Sequence, residues 1–142
     1  SPGPNGRSPE QVRERILLVA VGDHLDSSQM VLVELVNATG NGTVDITSER
    51  RWAEDLIADN RLYRLTASEA GETAVAGLLE ELERVLLEVA HSPDVISSGE
   101  FQRIRSRIEE QGILFKIRVL GSKVREREGA GFKTQAPDSS QS

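Results

Sequence analysis

Residues 9–36 restrict the fold of this chain more than any other stretch. Ser8 offers an N-cap, Pro9 suits the first helical position and Gln11 stands three residues after the cap, which together predict a helix start. Nothing stops that helix before about residue 36. Within it, residues 16–21 (ILLVAV) are all apolar and, at 100° per residue, cover the whole helix circumference; residues 30–33 with Leu35 and Val36 nearly do so again. Such a helix is expected to be surrounded by other segments. Between the two apolar zones lies a polar band, Gly22, Asp23, His24, Asp26, Ser27, Ser28 and Gln29, interrupted only by Leu25. The band is expected to face solvent or to meet polar groups of a second helix, such as Asn60.

The other segments are shorter and better punctuated. Thr39, Gly40, Asn41, Gly42 and Thr43 form a turn cluster, after which Asp45 or Thr47 can cap a second helix starting near Ser48. That helix carries Trp52, Leu56 and Tyr63 on one stripe and Ala58, Leu62 and Leu65 on another, so it should touch two neighbours, and Gly71 is its left-handed C-cap. The third has the cleanest period, with Val75, Leu78, Leu79, Leu82, Val85, Leu86 and Val89 on one face, and His91, Ser92 and Pro93 end it. A fourth opens on a capping box, Ser97 with Glu100, and carries Phe101, Ile104 and Ile108 at helical spacing. Residues 112–121 fit a strand or a helix. A strand needs a partner, and residues 43–46 are too short to make a stable sheet, so a helix continuing to about residue 127 with a kink at Gly112 is the expectation. The fold expected is all-α: an antiparallel four-helix bundle with a long first helix. Residues 8–128 form one domain, between a linker at 1–7 and a tail at 129–142 that holds too few apolar groups to order itself.

Composition narrows the function classes. Without cysteine there is no disulfide, thiolate metal site or thiol nucleophile. The longest unbroken apolar run has six residues, short of the ~20 a membrane span needs, so no span is expected within this stretch; an upstream one would be compatible with it. Net charge is −6, yet unevenly spread: residues 1–97 carry 8 basic and 17 acidic side chains, residues 98–128 carry 8 and 5. The basic excess would suit a nucleic-acid face, but overall acidity, 4% aromatics and an acidic third helix nearby favour a solvated surface, and no nucleic-acid partner is expected. The Gly40/Gly42 cluster lacks the lysine of a phosphate loop.

Two constellations bear on chemistry. Glu88 and His91 form Glu-x-x-His, one turn apart on a helix, as dinuclear sites in bundles use. Those sites need a second copy, and the residue three before His24 is Val21. Metal binding by Glu88 and His91, joined by Asp23 and His24, is thus the alternative reading. Asp23, His24, Asp26 and Ser28 lie within about two turns of one helix, whereas a hydrolytic triad converges from different elements; no catalytic residue is named and no enzyme or cofactor is expected. Asp23, His24, Asp26 and Asn60 are instead the candidates for a small polar ligand pocket.

Three strings carry a family resemblance: residues 15–38 (RILLVAVGDHLDSSQMVLVELVNA), residues 59–67 (DNRLYRLTA) with 78–93 (LLEELERVLLEVAHSP), and residues 111–127 (QGILFKIRVLGSKVRER). Over most of residues 12–127 the chain resembles the C-terminal region of membrane-anchored anti-sigma factors of acidobacterial type. Such proteins begin with a zinc-binding H-x-x-x-C-x-x-C helix that grips a sigma factor, followed by one membrane span. This chain has no cysteine, so none of the sigma-binding residues carries over. The resemblance implies an extracytoplasmic, signal-sensing helical domain; the two apolar zones of the first helix, more than one four-helix packing needs, add a protein partner or self-association, and the leading expectation is a non-enzymatic sensor or interaction domain of a transcription regulator, with a cytoplasmic helical interaction protein as the alternative.

Overall fold

A computed structural model describes residues 8–133, with side chains as far as Arg127; the expectations for residues 1–7 and 134–142 lie outside the described residues. The order of elements is α1 (Pro9–Val36), β1 (Thr43–Asp45), α2 (Thr47–Glu69), α3 (Thr73–Ala90), β2 (Val95–Ser97), α4 (Ser98–Gln111) and α5 (Ile113–Lys133). The all-α expectation holds, but among the described residues five helices stand where four were expected. The difference is Gly112. Its φ of 61° is left-handed, its N–H donates to the carbonyls of Ile108 and Glu109, and α4 ends there instead of kinking. Residues 113–121 are helical, and α5 runs on to Lys133, past the helix end expected near 127 and into 129–133, which were expected to belong to the tail.

A second correction concerns the strand. Residues 43–45 do pair, antiparallel with 95–97, in the register Thr43 to Ser97, Val44 to Ile96 and Asp45 to Val95. Three residues suffice because the ribbon lies over the core: Val44, Ile46 and Ile96 are buried while their neighbours alternate outward. The turn before it demands glycine, since a Cβ on Gly40 would sit 1.9 Å from the Thr43 carbonyl oxygen. The ribbon thereby ties the α1–α2 link to the α3–α4 link.

Helix directions follow from side-chain partners. Asn60, midway along α2, donates to the Leu79 carbonyl at 2.8 Å, and Arg50, near the start of α2, reaches the Ala90 carbonyl at the end of α3 at 3.5 Å, so α2 and α3 run antiparallel. Lys116 meets Glu81 at 2.9 Å and Arg127 meets Glu72 at 2.8 Å, which sets α5 antiparallel to α3. Arg125 reaches Asp26 and the Gly22 carbonyl, and Arg127 reaches Glu14, fastening α5 along the other side of α1. The core between them is built on the clean face of α3, where Leu79, Leu82, Leu86 and Val89 are fully buried. Burying each such leucine contributes roughly 1.5–3 kcal/mol.

The first helix is not surrounded. Among the described residues it is chiefly α2 and α5 that lie along it, so Val21, Leu25, Leu32 and Leu35 are buried while Ile16 is 64% and Met30 69% exposed. By length and composition α1 could cross a membrane, with a mean hydropathy of 1.4 over its most apolar 18-residue window. Half of that window is buried inside the fold, and the core helix of a folded domain passes the same test.

The Gly112 break predicts the sign of a substitution. Nothing lies within 4 Å of a Cβ added there, so Gly112→Ala should cost about 1 kcal/mol from the left-handed backbone alone. Urea unfolding checks it. In a continuous α4–α5 helix the same change would stabilise.

Candidate functional site

The polar band of α1 meets α2 at one buried point. His24 Nε2 lies 2.8 Å from Asn60 Oδ1, and Asn60 Nδ2 donates to the Leu79 carbonyl of α3 at 2.8 Å. His24 is 5% and Asn60 0% exposed. The chain fixes the protonation. With the amide nitrogen committed to a carbonyl, Asn60 presents only its oxygen to the imidazole, so His24 Nε2 carries the hydrogen and donates it. Tyr63, one turn beyond Asn60, sets its ring edgewise to the imidazole, with centroids 5.3 Å apart and planes at 64°. Three helices are therefore joined through one histidine and one amide. A turn further on, Ser28 is fully buried with its hydroxyl unpaired.

Burial holds the His24 imidazole below its ordinary pKa; the Asn60 hydrogen bond and the negative charge of Asp59 oppose the shift without reversing it. The neutral ring is thus the form that fits.

Beside this pair runs a trough between α1 and α2. One part, of about 320 Å³, is lined by Ala20, Asp23, His24, Ser27, Leu56, Asp59 and Tyr63. The next, of about 290 Å³, is lined by Ser27, Met30, Val31, Glu34, Trp52, Asp55 and Leu56. Shared Ser27 and Leu56 make them continuous. Helical spacing produces the trough's edges: Asp23, Ser27, Met30 and Glu34 follow one another at three or four residues on α1, and Trp52, Asp55 and Asp59 do so on α2. The Trp52 part is mainly apolar and the His24 part mixed; the lips carry four carboxylates, and no lysine or arginine lines either part.

Asp26, Glu72, Glu81, Glu83 and Glu88 each pair with an arginine or lysine, whereas Asp23, Glu34, Asp55 and Asp59 form no ion pair among the described residues. Some acids elsewhere, such as Glu49, Glu69 and Glu110, also form no ion pair among the described residues; what is particular to these four is that they edge one trough.

Of the residues expected to form a ligand pocket, His24 and Asn60 come together and Asp23 stands beside them. Asp26 does not: it points across to Arg125 of α5. Glu88 faces Arg107 at 3.1 Å, and His91 is exposed at the C-cap of α3. His91 follows Leu79 by twelve residues, roughly 18 Å along the helix, which separates it from the His24 level. Among the described residues no three metal-ligating side chains come together. Sequence reasoning did not single out Glu34, Asp55 or Asp59. The signal was present in the coincidence of acidic positions with the Trp52 stripe at helical spacing.

No family model matches the chain, and neither a curated protein nor a solved structure does.

The buried imidazole makes stability depend on pH. Because its pKa is lower folded than unfolded, the unfolded chain binds more protons, and stability should fall as pH drops below about 6.5. Urea midpoints between pH 8 and pH 5 measure this. In His24→Gln, whose amide can still donate to Asn60, that limb of the profile should flatten; an unchanged limb would place its origin elsewhere.

Proposed function

We propose that this chain is a non-enzymatic protein-interaction domain of a transcription regulator of the membrane-anchored anti-sigma kind, and that the trough between α1 and α2 is its binding face. In this reading α1, α2, α3 and α5 act as an antiparallel four-helix frame, with α4 and the ribbon closing one end. The observation that carries the reading is the trough itself: Trp52 is 46% and Met30 69% exposed on a floor that continues into the core. Large apolar groups gathered in a groove, instead of scattered singly, mark an interaction site. The three sequence strings support the regulator class and, with it, a place on the extracytoplasmic side of a membrane, tethered by an upstream span; a cytoplasmic location is the alternative.

A signal would act through helix packing. Between α1 and α2 the frame offers a buried polar crossing, His24 with Asn60, whose disruption would change how α1 lies on α2 and hence the shape of the trough.

Photo-crosslinking tests the binding face. A crosslinking amino acid at position 30 of the full-length protein, in its own cells, should trap one defined protein that a probe at exposed Ser122 on α5 does not. Identical patterns from the two positions would contradict the assignment. Translation of the gene upstream of Ser1 tests the regulator class: a membrane span preceded by H-x-x-x-C-x-x-C is expected, and its absence would leave only an interaction domain.

A further inference from the structure

We infer that the trough between α1 and α2 receives a cationic amphipathic helix from another protein, with an apolar stripe seated on Trp52, Met30 and Leu56 and lysines or arginines against Asp23, Glu34, Asp55 and Asp59. The inference rests on the reading of this face as the binding face, and adds the chemistry of what binds.

Charge complementarity is the main argument. The four lip carboxylates are exposed and form no ion pair among the described residues, although arginines and lysines elsewhere on this chain pair with acids on α1, α2 and α3. Four carboxylates along a trough that is apolar around Trp52 and Met30 repel an anionic occupant and favour one that brings both cations and apolar groups. Length agrees. Asp23 to Glu34 spans eleven residues of α1, roughly 17 Å, which matches about three turns of a docked helix with anchors at i, i+3 or i+4, and i+7.

Two other occupants fit less well. Residues 1–7 and 134–142 contain no leucine, isoleucine, valine, methionine or aromatic residue, and bring one Arg and one Asp between them. They cannot fill an apolar floor. A second copy docked through the same face by a two-fold axis would set acidic lips against acidic lips.

The chain has one tryptophan, Trp52, so its fluorescence reports directly on the trough. The probe is a 14-residue peptide of leucine and lysine patterned at helical period. Titrated into the full chain, it should give a saturable blue shift and induced helix, and should weaken steeply with salt. In the double variant Glu34→Lys, Asp55→Lys, with its fold verified by circular dichroism, affinity should drop at least tenfold. A leucine–glutamate peptide of the same pattern should leave the emission unchanged. The inference is overturned if a scrambled leucine–lysine peptide binds as well, if the leucine–glutamate peptide binds, or if the charge-reversed variant binds undiminished. A blue shift produced by raising protein concentration without peptide would overturn it in favour of self-association. A partner trapped from position 30 together with no response to the cationic peptide would defeat this inference and leave the binding face intact.

Discussion

An imidazole in the middle of a helical core is costly unless its nitrogen finds a partner, and in this domain that requirement fixes how α1 lies on the rest of the molecule. His24 donates to Asn60, and Asn60 in turn donates to the backbone of α3. Apolar packing alone would position α1 loosely, because leucine and valine contacts are non-directional and the apolar zones of this helix reach around its whole circumference. The His24–Asn60 bond chooses one rotation and one longitudinal register, and the Asn60–Leu79 bond holds the amide in place to receive it. Sliding α1 by one residue would turn the imidazole by about 100° and part His24 Nε2 from Asn60 Oδ1, at roughly 1–3 kcal/mol for each buried group left unpaired.

That choice of rotation also determines what is left outside. With His24, Leu25 and Leu32 turned inward, Ile16, Asp23, Ser27, Met30 and Glu34 are exposed, and the last four edge the trough. The same register brings Asp55 and Asp59 of α2 opposite them. On the other side of α1, Arg125 and Arg127 neutralise acids and hold α5 in place. The molecule thus has a closed side, where charges are paired between helices, and an open side, where they are not.

Much of this could be read in the residues because the signals are local. The Ser8 and Gln11 capping box, the Ser97 cap on the Glu100 N–H, the positive φ of Gly71 and the apolar face of α3 are all where spacing places them. Of the two readings of the polar band, solvent or polar groups of α2, both apply: Asp23, Asp26 and Ser27 are exposed, while His24 is buried against Asn60. What escaped is non-local. The ribbon joins segments some fifty residues apart, and neither strand is long enough to announce itself. An apolar circumference says that α1 can be buried all round, but not that, among the described residues, it is chiefly two helices that cover it. At Gly112 the helical stripe is the same on both sides, so the break shows only in a backbone angle that glycine permits. The acidic lips required knowing which carboxylates go unpaired, which depends on the position of every arginine.

A double-mutant cycle on His24 and Asn60 tests the central claim most directly. His24→Leu, Asn60→Leu and the double variant are unfolded in urea at pH 8, where the ring is neutral. If the pair sets the seat of α1, each single variant leaves a buried polar group unpaired and the double variant does not, giving a coupling of about 1–3 kcal/mol. Additive effects, within about 0.5 kcal/mol, would mean that α1 is positioned by apolar packing alone and would contradict the account.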